Sequence, residues 1–465
     1  MFREAVAARP DTGSRLQLHR AILHEYDQRL SDDLDVLVLH SVEGHEPARA
    51  ARHLTERARR NLAGGLIDDA ITDANEALSW IEGDVNGTLA ATLDALLVRA
   101  DALRLAVRFK EAESTLREVL RRADSDDLES VDRTRFGAAA GHRMAAMFLD
   151  QRDPVAAADH LGRAVDLVGL EPPVDNSLTD TWVQVWLVAT KLDYFAAGSI
   201  SWATNAAERV APTIESSQNL RDIAALNAAR GARFSRIARF GASSAGRHAI
   251  NMFRSSAQQL DDLALLAESS FAQGFQELCA LDGSAGLRWF EEAIERYEAA
   301  GDRTWHGIAL TYAVMSHRLR GDVDAVIERG LVAIQFAENN LPPSYIAVLE
   351  ATVSWAMSRQ PGNESEARSF LHKALARLPH PTVLDFYPFI GFIIWPEVAL
   401  AETEGRFDRR SLRPKVASTE SPSTHCIWLR RQRRSFHLKS TPRYERSSMT
   451  RQAPKSLWLF TGPNE

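Results

Sequence analysis

Five histidines crowd the start of the chain, at positions 19, 24, 40, 45 and 53, and they raise the question of a metal site. Two histidines on one helix face share a metal when they stand four apart, as in HExxH. His19 and His24 are five apart, and His24-Glu25 has no second histidine in register, so no metal is expected. A second cluster, Glu291, Glu292, Glu295 and Glu298, has the spacing of a solvated helix face opposite Phe290, Ala293, Ile294 and Tyr297. Ser, His and Asp occur without a nucleophile-elbow motif, so a hydrolase has no specific support. None of the six lysines completes GxxxxGK[S/T], which removes the P-loop route to ATP hydrolysis. Cys279 and Cys426 share no CxxC context. The reading is therefore a protein that is not an enzyme, with no catalytic residue, cofactor or metal to name.

The densest aromatic segment offers a different chemistry. Trp182, Trp186, Tyr194, Phe195 and Trp202 fall within a short stretch. Aromatic rings with polar edges can line a groove that grips a peptide or small effector. The same rings can fill gaps between helices. Trp182, Trp186, Tyr194 and Trp202 are carried forward as candidate groove contacts, with core packing the alternative.

The elements that must position these residues follow from a repeat. A pattern of small and bulky residues returns four or five times at an interval a little over forty. One copy reads Ala100, Leu103, Phe109, Ala112, Leu116, Val119, Leu120. Others are Ala58, Ile67, Ala70, Ala74, Ala77, Leu78 and Ala145, Phe148, Pro154, Ala157, Leu161, Ala164. Alanine at fixed places lets two antiparallel helices approach, and the bulky residue fills the remaining gap. This predicts an all-α solenoid of helical hairpins. Turns are expected at Gly65, Gly321 and the Arg108–Phe109 junction, and helix starts at Asp68, Asp153 and Asp322. The pattern weakens between Asp180 and Ser256 and returns at Gly274, Gly286, Phe290 and Ala293. Further copies follow at Val326, Gly330, Ala333 and at Ala367, Leu371, Ala374.

Three segments result: 1–50, linker helices before the repeats; 51–408, the array; and 409–465, a basic tail. The tail holds thirteen Lys or Arg against three Glu, a balance of +10 that leaves −17 on residues 1–408 of this −7 chain. An acidic body argues against nucleic acid as its ligand. The tail sets Trp428 and Phe436 among Arg430, Arg431, Arg433 and Arg434, a pattern open to nucleic-acid contact. It also loses alanine and helical periodicity abruptly within GRFDRR, which suggests a reading-frame change or gene truncation, with a disordered extension of the native chain as the alternative; disorder is the expectation on either reading. The chain opens inside a helical pattern, Phe2, Ala5, Val6, with no cap ahead of it, as a fragment would. No apolar run approaches the roughly 20 residues of a membrane span. Phe386 to Trp395 is short and broken by Pro388 and Gly391. A cytoplasmic, high-GC bacterial setting is the expectation.

The small-and-bulky spacing resembles the tetratricopeptide repeat, most closely over residues 93–124, where Arg99 stands in place of the family's preferred leucine. The long intervals are similar to the maltose-regulon-activator-like variety. Ahead of the repeats, Arg3-Glu4-Ala5, then Leu18-His19-Arg20, then Ala51-Arg52-His53-Leu54 resemble, in order, motifs that follow the nucleotide domain of STAND-class signal-transduction ATPases. That resemblance implies a winged-helix remnant in front and the sensor arm of a transcriptional regulator or cyclase behind, apparently a fragment without motor or output domain. It implies a protein partner or small effector in the concave groove. The alternative is a free-standing scaffold joining two proteins.

Overall fold

Alanine-rich amphipathic segments separated by short turns fold, in the computed structural model, into helices packed in consecutive antiparallel pairs. The structure describes residues 12–28, 33–83, 88–196, 200–237, 243–377, 396 and 399–400, all within 1–421, the first of two units of the chain. The expectations for Arg3–Ala5, the Phe386–Trp395 segment and the tail 409–465 lie outside the described residues.

Eighteen α-helices are present among the described residues. The first eight are α1 (Thr12–Gln28), α2 (Leu34–Glu43), α3 (Pro47–Ala63), α4 (Ile67–Glu82), α5 (Leu89–Leu105), α6 (Phe109–Ala123), α7 (Ser130–Asp150) and α8 (Pro154–Val168). Five more are α9 (Thr179–Phe195), α10 (Ala206–Ser217), α11 (Leu220–Ile237), α12 (Ser244–Leu260) and α13 (Leu263–Cys279). The last five are α14 (Gly283–Ala299), α15 (Arg303–Arg320), α16 (Val323–Asn340), α17 (Pro343–Met357) and α18 (Glu364–Arg377). From α3 onward each odd helix pairs with the even helix after it. Odd helices also pack on the odd helices of neighbouring pairs, so α3, α5, α7, α9, α11, α13, α15 and α17 form one continuous inner layer, with the even helices outside.

Small residues sit where the helices come closest. Ala70, Ala74, Ala77, Ala112, Ala157 and Ala164 are fully buried. A Cβ added at Gly330 would lie 2.4 Å from Val353 Cγ2, and one at Gly274 would lie 2.8 Å from the Phe290 ring. The bulky partners Leu116, Val119 and Leu161 fill the space between, each contributing about 1.5–3 kcal/mol by leaving water. The position within the stack sets the pattern. Helix α6 is apolar on one face, whereas α17 is buried at every residue from Tyr345 to Met357 and its sequence is apolar almost throughout.

The turns repeat as well. Gly65, Val107, Arg152, Leu281 and Gly321 all adopt positive φ (77°, 62°, 64°, 64° and 83°), each just before the second helix of its pair. Asp153 caps α8 by accepting from the Ala156 N–H at 2.9 Å. Two expected starts differ in detail. Helix α4 begins at Ile67, so Asp68 lies in its first turn and not at the cap. Asp322 stands at the cap of α16, but its carboxylate faces Arg320 Nε at 2.9 Å and His317 Nδ1 at 3.2 Å instead of a backbone amide. Between 180 and 256, where the pattern weakens, the second helix α10 is only 12 residues long, carries Pro212 and starts from Asn205 at φ 63°.

The array bends back on itself. The Gly65 turn meets the α14–α15 turn backbone to backbone: a Cβ at Gly65 would be 2.6 Å from Ala299 O, and one at Gly301 would be 2.6 Å from Gly65 O. Nearby, Arg104 pairs with Asp150 at 2.5 Å and also feels Asp302. Arg152, on the α7–α8 turn, donates to the Tyr345 hydroxyl of α17.

Candidate functional site: an aromatic cavity inside the helical layer

The inner layer lines a half-open cavity of about 180 Å³. Its walls come from α9, α11, α12, α13, α15 and α17, and Arg152 reaches in from the α7–α8 turn. One wall is flat because α11 presents Ala225, Ala228, Ala229 and Ala232, spaced as neighbours on one helix face. Another part of the lining is aromatic. Phe271 is set edge-on to Tyr312 at 5.2 Å and to Trp305 at 5.3 Å, and Phe275 to Tyr312 at 5.8 Å. These separations are those of favourable edge-to-face pairs and hold the rings in fixed orientations.

The polar groups are few. The Arg152 guanidinium lies 4.4 Å from the Phe195 ring centre and 5.0 Å from that of Tyr345. Stacking on two rings fixes the plane of the cation and replaces part of its hydration. Lys191 on α9 is exposed and has no ion-pair partner among the described residues. Glu268 on α13 is half-buried and is the single carboxylate among the lining residues; its charge is felt by Tyr297 and Asp302. Thr190, Tyr194 and Gln276 complete the polar lining.

The four candidate groove residues divide between two faces of one helix and its surroundings. Trp182 and Trp186 are fully buried in the core shared by α7, α8, α9 and α10, packed with Leu161, Val210 and Ile214. Trp182 Nε1 donates to Gly169 O at 3.2 Å, and Arg209 lies over the Trp186 ring at 4.9 Å. Trp202 packs against the same core, edge-on to Trp186 at 6.4 Å. Tyr194 lines the cavity with Phe195. The split follows from helical geometry. Residues 182, 186 and 189 of α9 share the face toward α8 and α10, whereas 187, 190, 191 and 194 share the face toward the cavity.

Sequence reasoning did not select Arg152, Lys191, Phe271, Phe275, Tyr312 or Tyr345. Phe271 and Phe275 are four apart on one helix, which marks a face but not what it faces. The other clusters have structural surroundings. His19 and His40 touch through their Nδ1 atoms at 2.8 Å, and buried His53 meets Ser41 at 3.2 Å. Arg20 anchors α1 to the α2–α3 turn through Gly44 O at 2.9 Å and Glu46 at 2.8 Å. In the acidic string, Glu295 and Glu298 are exposed, while Glu291 pairs with Arg329 at 2.9 Å. Burial pushes the Glu292 carboxyl upward, but its hydrogen bond to Arg254 and the charges of Arg254 and Arg296 outweigh that and hold it below its ordinary value. No helix of the described residues is long and apolar enough to cross a membrane.

Helices paired in series around an inner layer define a tetratricopeptide-like helical-repeat array. A Rap protein solved in complex with the competence and sporulation factor is similar in structure, with a TM-score of 0.50 and 12% identity over 77% of this chain and 99% of that one. A STAND-class ATPase with a tetratricopeptide-repeat sensor, from Pyrococcus horikoshii, aligns with a TM-score of 0.39 and 12% identity over 72% of this chain and 52% of that one. At such identity the likeness to the Rap protein shows the fold alone. No family model matches the sequence, and no curated protein does.

Proposed function

We propose that this chain is a non-catalytic binding module that takes a protein partner or small effector against its inner helical layer. In this reading it serves as the regulatory sensor arm of a STAND-type transcriptional regulator or cyclase. The observation that carries the reading is the cavity, which joins an aromatic wall and two cations on six helices and a turn. A ligand there touches α9, α11, α13, α15 and α17 together, so it can favour one curvature of the array over another. Such coupling requires different affinity for the two arrangements. The Rap protein of similar fold was solved in complex with the competence and sporulation factor, which supports a binding role for this architecture. The ordered motifs at Leu18–Arg20 and Ala51–Leu54 support the STAND reading over a free-standing scaffold.

The test is a thermal-shift screen of peptides and metabolites against the full chain and against Ala228→Trp, which fills the cavity from its flat wall. Ligands should raise the melting temperature of the native chain and not of the variant. Equal shifts in both would place binding elsewhere and sink the reading.

A further inference from the structure

We infer that His19 and His40 form an acid-sensitive clasp, which holds α1 against α2 and releases it when both rings are charged.

Proton count sets the argument. The two rings meet through Nδ1 atoms 2.8 Å apart, with ring centres 4.9 Å apart. One Nδ1 must carry a hydrogen and donate, and the other must offer its lone pair. That holds when both imidazoles are neutral, and it still holds when one of them is an imidazolium. A second proton leaves two N–H groups facing each other with no acceptor, on two adjacent cations. The contact cannot survive it.

The other charged groups of this corner have their own places. On α1, Arg20 donates to Gly44 O at 2.9 Å and pairs with Glu46 at 2.8 Å, while Arg15, His24 and Glu25 are exposed. On α2, Asp33 caps the helix by accepting from the Val36 N–H, Asp35 pairs with Arg60 at 2.9 Å, and Glu43 is exposed. His45 on the α2–α3 turn bonds to Val42 O at 3.1 Å, and His53 on α3 turns to Ser41. Burial and the charge of His19 together hold the His40 pKa below the usual imidazole range. The folded chain therefore takes the second proton less readily than the unfolded one. The clasp stabilises the docked helix above that range, and its contribution is lost as pH falls through the lowered value. Leu23 is the only buried side chain among the described residues of α1, so polar contacts carry much of the docking.

The experiment is hydrogen–deuterium exchange on the full chain at pH 7.5 and pH 5.0, with times scaled for intrinsic exchange and α4 as internal reference. Protection over residues 15–26 should fall about ten-fold relative to α4 in the parent. His40→Asn keeps a group that can accept from His19 and never ionises, so protection should stay within about two-fold across the same range. His19→Asn repeats the test from the other side. Equal loss in parent and variants would move the acid sensitivity to another group, such as the Arg20–Glu46 pair, and overturn the inference. Unchanged protection in the parent would overturn it as well. Nitrogen-15 spectra of the parent imidazoles need no variant: the second Nδ1 should gain its proton in step with the loss of α1 protection. Both Nδ1 atoms protonated while α1 stays protected would overturn the clasp.

Discussion

A single carboxylate shows how closing the array changes the chemistry of a side chain. Asp302 caps α15, accepting from the Trp305 N–H at 2.9 Å, and sits where the Gly65 turn meets the α14–α15 turn. Burial pushes its pKa up to about 6, against the opposing effects of that hydrogen bond and of Arg104. A raised folded-state value means that between pH 4 and 6 the folded chain binds more protons than the unfolded one. Asp302 therefore subtracts stability as pH rises through that window, and the loss is complete above it. Asp302→Asn keeps a good cap and removes the charge. Because the residue is only half-buried, the gain is discounted to about 1–2 kcal/mol at pH 7.5, falling to nothing below pH 4. Urea unfolding at both pH values checks this, and a variant less stable than the parent at pH 7.5 would contradict it.

At the level of helices, the small positions can be separated from ordinary helix propensity. Replacing glycine by alanine within a helix gains about 1 kcal/mol when nothing else changes. Gly162 in α8 has nothing within 4 Å of its added Cβ, so Gly162→Ala should stabilise by about that amount. Gly330 in α16 has Val353 Cγ2 at 2.4 Å, so Gly330→Ala should destabilise despite the same propensity gain. Ala112 is fully buried between α6 and its neighbours, and Ala112→Leu should cost roughly 1–3 kcal/mol by overpacking. Melting curves of the three variants give the signs directly. A stabilised Gly330→Ala would mean that α16 and α17 do not approach as closely as described.

Over the whole molecule, closure depends on two glycines more than two hundred residues apart. Gly65 at φ 77° and Gly301 at φ 67° each leave no room for a Cβ against the other's turn. Gly65→Ala should part the turns, with a larger radius of gyration by small-angle scattering as well as a loss of stability. Gly321, also at φ 83° but with nothing within 4 Å of its added Cβ, is the control. Gly321→Ala carries the same backbone strain and should leave the radius unchanged. Equal radii in both variants would show that the Gly65 contact does not hold the array closed.

Local rules, repeated along the chain, made the helical pairs legible. Alanine at 70, 112 and 157 and glycine at 65 and 321 act within one hairpin, so their spacing alone announces helix, turn and helix. Even the turns without glycine keep the interval: Val107 and Arg152 stand 42 and 45 residues after Gly65 and Val107 respectively. The aromatic segment was visible but its direction was not. Whether a tryptophan at 186 faces a core or a cavity is set by the rotation of α9 against α8 and α11, which neighbouring residues in sequence do not encode. The cavity itself was out of reach for the same reason at longer range. Arg152 meets Tyr345 across 193 residues, and Lys191 and Glu268 come to line one space only because small inter-pair rotations, summed over many pairs, bring the inner helices around a common axis. Sequence by itself determined the repeating unit, since periodicity and small-residue spacing act over a few turns of helix. Tertiary structure alone decided the cavity, because curvature accumulates over the whole array and no single repeat contains it.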